Sequence, residues 1–292
     1  MKEQAAVFYC QAMFAFEMHK SLKRMESNGQ DSGFLSGLIP ESVHGKCSDS
    51  IIDQELLEEA FGLDESGDSA LHDAIRKGDL ETVYSLVNLA PNGKYLSILN
   101  KHRRSPLHVA VLRKQPWAVR RLVIAGALVG ARDRRGNTPL HLACALGERT
   151  SLDCLTTPVS DEESRLCSTR APPCLSSSAG AALITERNDD GLTPLHLAAI
   201  GGFTDSVARL VSLGADVDEV DGLSGRSALH LCAAKGDSMM CMALMELGAD
   251  LRLVSWDESS AADVALCNGF RDLAELLCVV DCDESFSASP VM

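Results

Sequence analysis

The sequence predicts an all-α solenoid of about six helix-turn-helix units, and two observations lead to this expectation. A four-residue pattern ending in Leu-His recurs with 36, 33, 55 and 34 residues between successive histidines, and a divergent copy follows 33 residues later. The chain is rich in hydrophobic residues (46%) but poor in aromatic ones (4%), so small and medium aliphatic side chains must fill its core. Such repetition is typical of stacked units that bury their apolar faces only against neighbouring units.

The copies of the pattern define the units in order. They are Ser69-Ala70-Leu71-His72, Ser105-Pro106-Leu107-His108, Thr138-Pro139-Leu140-His141, Thr193-Pro194-Leu195-His196, Ser227-Ala228-Leu229-His230 and the divergent Ser260-Ala261-Ala262-Asp263. A period near 33 with a T-P-L-H-x-A core resembles ankyrin repeats, in which a β-turn tip precedes two antiparallel helices. The resemblance covers residues 66–280 and implies an ankyrin-repeat domain over that range.

The fourth copy illustrates why each unit should fold in this way. Thr193 suits a helix N-cap and Pro194 suits the first helical position, where no N–H is needed. The pair Gly201-Gly202 should end that helix, and Gly214 stands where a left-handed C-cap ends the second helix. The second helix has apolar residues at i, i+3 and i+4, namely Val207, Leu210 and Val211.

The two ends of the array should differ from its middle because one face of each terminal unit meets water. Residues 51–65 form an amphipathic segment, which we interpret as a cap on the first unit. A leucine-rich nuclear-export segment is the alternative interpretation of the same pattern. Its apolar residues are Ile52, Leu56, Leu57, Phe61 and Leu63. At the other end, Glu258-Ser259-Ser260 and Ala262-Asp263 predict a polar final unit.

The long interval between His141 and His196 contains about 22 residues more than its neighbours. The excess falls within residues 156–182, which are rich in Ser, Thr, Pro and Ala and predict a mobile insertion. Residues 1–50 lack helical periodicity and predict a disordered regulatory arm. Residues 281–292 form a short acidic tail.

The repeated histidines and the cysteines have structural interpretations. One His per unit places the imidazoles on successive units rather than around one metal ion. The resemblance to ankyrin repeats implies that each imidazole bonds a neighbouring turn. Eleven cysteines is an odd number, and four of them fall at apolar helical positions where Cys packs as a small hydrophobe. These four are Cys144, Cys232, Cys241 and Cys278. A reducing compartment and no metal or cofactor are therefore expected.

Enzymatic and membrane functions are not indicated. The sequence contains no phosphate loop, nucleophile elbow or metal-binding cluster, so no catalytic residues are assigned. The longest apolar run, residues 122–131, is too short to cross a bilayer. We expect a non-enzymatic, soluble binding protein.

Charge is distributed unevenly along the chain. The net formal charge is -7 over residues 1–65, +8 over 66–150, -2 over 151–183 and -13 over 184–292. The acidic C-terminal half should repel nucleic acid and attract basic protein surfaces. We therefore expect no direct nucleic-acid partner, and the basic block in the first three units has no explanation from the sequence.

Three local features resemble the IκB family, the cytoplasmic inhibitors of NF-κB/Rel transcription factors. The stretch 133–144 is similar to the third repeat of that family, and residues 213–230 are similar to a later one. The run Asp31-Ser32-Gly33-Phe34-Leu35-Ser36 matches the family's D-S-G-x-x-S phosphodegron, most closely that of its Cactus-like members.

The resemblance implies a regulated inhibitor of a Rel/NF-κB dimer that is cytoplasmic and able to shuttle to the nucleus. Phosphorylation of Ser32 and Ser36 by an IκB-type kinase, in the context of Asp31 and Gly33, would create a cluster of charge and acceptors. A ubiquitin-ligase propeller subunit would read this cluster, and Lys20 and Lys23 are the candidate ubiquitin acceptors. Proteasomal degradation would follow.

The same resemblance implies how the array binds. The first repeats would cover the nuclear-localisation segment of the Rel dimer, and the acidic C-terminal repeats would face its basic DNA-binding surface. The candidate contact residues are Asp216, Asp218, Glu219, Asp221, Asp250, Asp257 and Glu258. An ankyrin adaptor for a non-Rel partner, whose abundance the degron controls, remains the alternative.

Overall fold

Six helix pairs stack along the chain in the part that the structure describes. The structure is a computed structural model that describes residues 57, 60–160, 163 and 182–284, the last six of them as backbone alone. The helices are α1 Ala70–Lys77, α2 Leu80–Leu89, α3 Pro106–Leu112, α4 Pro116–Ile124, α5 Pro139–Ala145, α6 Arg149–Thr156, α7 Pro194–Gly201, α8 Thr204–Ser212, α9 Ala228–Lys235, α10 Ser238–Glu246, α11 Ala261–Cys267 and α12 Arg271–Glu284. A 3-10 turn spans Tyr95–Ser97.

The pairs form two helical layers. The first helix of each unit packs against the first helices of its neighbours, and α2, α4, α6, α8 and α10 pack in sequence behind them. Among the described residues there is no sheet, only two isolated antiparallel bridges, Val220 with Ser227 and Val254 with Ser260. The predicted all-α solenoid of about six units is confirmed.

The first helices approach closely because their buried faces are small. In each of the first five units a fully buried Leu is followed three residues later by a fully buried Ala or Cys. These pairs are Leu71 and Ala74, Leu107 and Ala110, Leu140 and Ala143, Leu195 and Ala198, and Leu229 and Cys232. Dense packing of small and medium side chains lets adjacent units bury one another without aromatic residues.

The fourth unit forms the local structure that its sequence predicts. Thr193 is the N-cap of α7, whose first residue is Pro194. Gly202 (φ 76°) and Gly214 (φ 98°) adopt left-handed conformations after α7 and α8. Val207 and Leu210 are buried, and Val211 packs partly buried against the core.

Each repeated histidine ties its own helix start to the next unit. The Thr138 backbone N–H donates to Nδ1 of His141 at 3.2 Å, and the Thr138 hydroxyl donates to the same atom at 2.8 Å. Because Nδ1 accepts, the proton lies on Nε2, which donates to the Leu192 carbonyl at 3.1 Å. The other four histidines, at positions 72, 108, 196 and 230, repeat this arrangement toward the carbonyls of Arg104, Asn137, Arg226 and Ser259. The predicted turn-bonding role is confirmed.

Burial keeps these imidazoles neutral. Desolvation lowers the pKa of all five, and it lowers the pKa of His141 to about 4. A neutral imidazole is required because Nδ1 has to accept while Nε2 donates.

The sixth unit ends this chain of contacts with an acidic residue. Asp263 occupies the histidine position, and its carboxylate accepts from the Ser260 N–H at 3.0 Å and the Ser260 hydroxyl at 2.6 Å. A carboxylate reproduces the acceptor role of Nδ1 but has no donor for a further unit. Asp263 is exposed, as the predicted polar final unit requires.

The insertion leaves the contact between the third and fourth units intact. The His141 bond to Leu192 spans the interval, and Nδ2 of Asn188 donates to Oδ1 of Asn137 at 2.9 Å. α6 ends at Thr156, and four helical residues, 182–185, precede the fourth unit. The extra residues therefore extend from the second helix of a unit without separating the stacked first helices.

The start of the array is covered by apolar side chains from the amphipathic segment. Leu57 is 6% exposed and Phe61 is 2% exposed, and the Phe61 ring centroid lies 5.4 Å from that of Tyr95. Leu63 is half exposed, while Ile52 and Leu56 lie outside the described residues. An export receptor could not reach Leu57 or Phe61 in the folded array.

The cysteines differ from the expectation at one position. Cys144, Cys232 and Cys241 are buried, and burial raises the pKa of the Cys241 thiol to about 12. Cys278 is exposed, so its predicted packing role is wrong. It lies on α12, and its side chain faces away from the packed helices of the described array. The cysteines with described side chains are all free thiols. No described helix is long and apolar enough to cross a membrane.

Candidate protein-interaction surface

The tips that precede each first helix share one backbone design. In the third unit, Asp133 Oδ1 accepts from the N–H groups of Arg135 and Asn137 at 2.8 and 2.9 Å. Asn188 does the same in the fourth unit, toward Asp190 and Leu192. The side chain thus closes the turn from inside, and the residues after it face outward.

Asp221 is the equivalent turn residue of the fifth unit. It is only 5% exposed, and its Oδ1 accepts from the N–H groups of Leu223, Ser224 and Gly225 at 2.6 to 3.1 Å. The Ser224 hydroxyl donates to its other oxygen at 2.7 Å. The prediction that Asp221 faces a partner is wrong, because the carboxylate is used to hold the tip. One extra residue in this tip puts Asp221 six rather than five residues before the N-cap Ser227, which obscured the register.

Five of the other predicted contact residues present carboxylates on the last units, and we call these five the acidic tips: Asp216, Asp218, Asp250, Asp257 and Glu258. Asp218 is partly exposed and accepts from the Asp250 N–H at 2.8 Å, which links neighbouring tips. The Ser255 hydroxyl donates to Asp257 and lowers the pKa of its carboxyl. Two of the predicted contact residues also form ion pairs: Glu219 with Arg187, and Asp257 with Arg226 at 3.4 Å.

Two exposed apolar side chains lie among the acidic tips and were missed by the sequence reasoning. Trp256 and Leu223 are each 66% exposed. A Cβ on Gly225 would lie 2.3 Å from the Trp256 ring, so the glycine lets the indole rest on the preceding tip. The backbone N–H of Trp256 donates to the Ser224 carbonyl at 3.1 Å. The sequence does indicate an exposed position here, because Trp256 occupies the position in its tip that Arg134 occupies in the third tip.

The second and third units expose cations at the same level of the array, and we call these the basic tips: Lys101, Arg103, Arg134 and Arg135. The two tips touch, because the Arg134 guanidinium donates to the Lys101 carbonyl. Arg103 adopts a left-handed conformation at φ 57°. Asp133, the acidic residue of this tip, is buried within its turn.

The charges of the described array therefore fall into three bands. Residues 61–90 contain six acidic and two basic side chains, for a net charge of -4. Residues 91–150 contain two acidic and twelve basic side chains, for +10, and residues 184–284 contain nineteen acidic and six basic, for -13. The basic block thus belongs to the second and third units, and the first unit is acidic.

No group of three or more His, Cys, Asp or Glu side chains within the described residues is arranged to hold a metal ion.

The predicted degron and its candidate ubiquitin acceptors lie outside the described residues, as does the end of the tail. These residues are Asp31, Ser32, Gly33 and Ser36 of the degron and the acceptors Lys20 and Lys23. The candidate interaction surface of the described residues is the row of tips.

The sequence matches a known family model along most of the array. The model, described as ankyrin repeats in three copies, matches residues 44–133, 71–163, 174–255 and 195–286. The solved ankyrin repeat domain of Bcl-3, described as a unique member of the IκB protein family, has 38% sequence identity and a TM-score of 0.61. The match covers 74% of this chain and 87% of the Bcl-3 chain.

Curated relatives include both inhibitors and Bcl-3 itself. Human B-cell lymphoma 3 protein is 38% identical over 223 residues, which are 76% of this chain and 45% of that protein. The Drosophila melanogaster NF-κB inhibitor cactus is 34% identical over 70% of this chain and 41% of its own length. Human NF-κB inhibitor alpha is 38% identical over 53% of this chain and 44% of its own length. The chain thus spans less than half of each of these relatives.

Proposed function

This chain belongs to the ankyrin-repeat proteins of the IκB family, and on that basis we propose that it binds a Rel/NF-κB dimer in the cytoplasm and inhibits it. The proposed inhibitor masks the nuclear-localisation and DNA-binding surfaces of the dimer. The observation that carries the proposal is the 38% identity to the ankyrin domain of an IκB-family member over most of the array.

The charge bands support a bipartite contact. A nuclear-localisation segment is basic, and the acidic first unit complements it better than the basic tips do. A DNA-binding surface is also basic, and the acidic tips complement it at the other end of the array. The basic tips between them would face a neutral part of the dimer and contribute little to the affinity.

Trp256 and Leu223 provide the apolar part of the proposed contact. An exposed indole that packs against Gly225 and is followed in the chain by Asp257 and Glu258 has the composition of a binding hot spot. The acidic tips around it would steer a basic surface toward the indole and set the association rate.

Truncation of the indole tests this contact. We expect Trp256→Ala to weaken binding to a purified Rel-homology dimer by about tenfold or more, because its buried contact area is lost. Isothermal titration calorimetry measures the change. Met239→Ala is the matched control, since Met239 is 70% exposed on α10, away from the tips. Equal affinities for wild type and Trp256→Ala would exclude the indole from the interface.

Signal-dependent removal of the inhibitor is the second half of the proposal. Phosphorylation of Ser32 and Ser36 by an IκB-type kinase would create a dianionic pair beside Asp31. The basic pocket of a ubiquitin-ligase propeller subunit would bind that pair through charge-assisted hydrogen bonds. Ubiquitin on Lys20 or Lys23 would then direct the protein to the proteasome.

Alanine substitution tests the degron. We expect a protein carrying Ser32→Ala and Ser36→Ala to persist after a stimulus that leads to loss of the wild-type protein over the same period. A cycloheximide chase followed by immunoblotting measures the lifetimes. Ser48→Ala with Ser50→Ala controls for substitution elsewhere in the same N-terminal region. Wild-type decay of the double variant would refute the degron.

An adaptor for a non-Rel partner is the second candidate function. The observation that favours it is the pair of contiguous basic tips, for which the inhibitor model has no dedicated partner surface. Capture of cellular partners by wild type and by a Lys101→Gln, Arg134→Gln variant distinguishes the two. Loss of an acidic partner with retention of Rel proteins would assign the basic tips to that second role.

A further inference from the structure

Arg120 of α4 holds the chain where it leaves α6. Its Nη1 donates to the carbonyls of Cys154 and Thr157 at 3.3 and 2.8 Å, and its Nη2 donates to that of Pro158 at 3.1 Å. The guanidinium also forms a two-pronged pair with Glu163, through Nε at 2.8 Å and Nη2 at 2.5 Å. The Arg120 side chain is only 18% exposed, so one cation organises the end of a helix and the chain that follows it.

Glu163 connects this cation to Ser160. Its Oε2 accepts from the Ser160 N–H at 3.0 Å and from the Ser160 hydroxyl at 3.2 Å, while Ser160 Oγ accepts from the Glu163 N–H at 3.2 Å. The bond from Arg120, with those from Ser160, lowers the pKa of Glu163 to about 2. One carboxylate oxygen therefore contacts both Arg120 and Ser160, and Ser160 itself is exposed.

The sequence around Ser160 gives this contact a chemical consequence. Asp161, Glu162 and Glu163 occupy the three positions after the serine. Three successive carboxylates after an exposed hydroxyl form an acceptor that a kinase with a basic substrate pocket would recognise. We propose that Ser160 is a phosphorylation site for an acidophilic serine kinase and that its phosphate displaces Glu163 from Arg120.

The proposed reaction consumes ATP. The Ser160 Oγ forms a bond to the γ-phosphorus, the bond from that phosphorus to the β–γ bridging oxygen breaks, and ADP leaves. The hydroxyl proton passes to the general base of the kinase. The product carries a charge of about -1.5 to -2 at neutral pH.

The phosphate would compete directly with the carboxylate. It would be attached to an atom that now lies 3.2 Å from Glu163 Oε2, where two anions repel each other. The planar guanidinium of Arg120 can pair with a phosphate in the same two-pronged way as with a carboxylate. Glu163 would also lose the hydroxyl that donates to it. The exchange of Glu163 for the phosphate at Arg120 would therefore change the contacts of the chain that follows α6, while the stacked helices keep theirs.

Phosphorylation of the full-length protein by casein kinase 2 and ATP tests the site, with mass spectrometry to locate the phosphate. We expect phosphate on Ser160 of the wild type and none at this position in Ser160→Ala. Glu163→Gln should slow the modification at least about tenfold, because a basic pocket loses one anionic contact. Ser168→Ala is the matched control, since Ser168 lies in the same insertion without acidic residues after it. Absence of phosphate on Ser160 would overturn the site, and an unchanged rate in Glu163→Gln would overturn its recognition by an acidophilic kinase.

Phosphorus NMR of the phosphorylated full-length protein tests the exchange of partners. Pairing with Arg120 should lower the second pKa of the phosphate by about 0.5 or more relative to a phosphorylated peptide of residues 154–168. Arg120→Gln should restore the peptide value, and Arg120→Lys should give an intermediate value because it retains the charge without the fork. Circular dichroism checks that both variants are folded. A wild-type value equal to that of the peptide would overturn the displacement of Glu163.

Discussion

At the scale of the residue, position within a tip decides what a carboxylate does. Asp221 and Asp257 are both acidic residues of C-terminal tips, but the first is 5% exposed and the second is on the surface. The lone pairs of Asp221 accept from buried backbone donors, whereas the Asp257 carboxylate accepts from Ser255 and Arg226 and stays exposed. Only the second kind of residue is available to a basic partner.

The buried histidines predict how stability depends on pH. Their pKa values are lowered on folding. Below the ordinary histidine pKa of about 6.5, the unfolded chain therefore binds more protons than the folded chain. The free energy of unfolding should therefore fall as the pH falls from about 6.5 toward 4. His141 alone, with a pKa of about 4, should contribute about 3 kcal/mol to this loss.

Urea denaturation at pH 7 and pH 5 measures this effect. We expect a lower midpoint at pH 5 with a similar slope, since the imidazoles must stay neutral to accept at Nδ1. Desolvation raises the pKa of the Asp68 and Asp221 carboxyls, but hydrogen bonds to the carboxylates outweigh it, so both pKa values are lowered. These two carboxylates lose their stabilising charge only below about pH 4, outside the compared range. An equal or higher midpoint at pH 5 would contradict the neutral-imidazole arrangement.

At the scale of the element, the first unit depends on the apolar segment before it. Phe61 fills space beside Tyr95, and repeat units gain stability only from covered faces. We expect Phe61→Ala to lower the free energy of unfolding by about 3 kcal/mol, while Leu63→Ala should change it by less than about 0.5 kcal/mol. Thermal and urea unfolding measure both. Equal effects of the two substitutions would show that the segment does not cap the array.

The helix pairs were predictable from the sequence because their signals are local. An N-cap hydroxyl at Thr193, a proline at the first helical position and a glycine at Gly202 act within a few residues of one another. The histidine spacing then gives the stacking, since each imidazole reaches the next unit. Six of the seven predicted acidic contacts are at least partly exposed, because the tips are regular and the residues after the turn face outward.

The features that the sequence did not predict depend on tertiary contacts or on the length of a tip. The Glu219 pair with Arg187 joins residues 32 positions apart, and no local pattern indicates it. The role of Asp221 was hidden by the extra residue in its tip. The contact of Arg120 with Glu163 joins residues 43 positions apart, and no local pattern in the sequence indicates it.

At the scale of the whole molecule, the alternating charge bands would set the orientation of the proposed partner. An acidic first unit and acidic tips at the far end flank basic tips in the middle. A partner with basic surfaces at two separated places would match this pattern in one register. We expect association to slow as ionic strength rises, because exposed charges are screened within about 8 Å at physiological salt.

Direct binding of the 292-residue chain to a purified Rel-homology dimer tests the proposed inhibition. We expect a saturable complex at about 1 μM protein or below, measured by calorimetry and stopped-flow fluorescence. A variant with Asp250→Asn, Asp257→Asn and Glu258→Gln should associate about tenfold more slowly at low salt, whereas Lys101→Gln with Arg134→Gln should not weaken binding. No detectable complex at micromolar concentration would contradict the assignment of this chain as a Rel inhibitor.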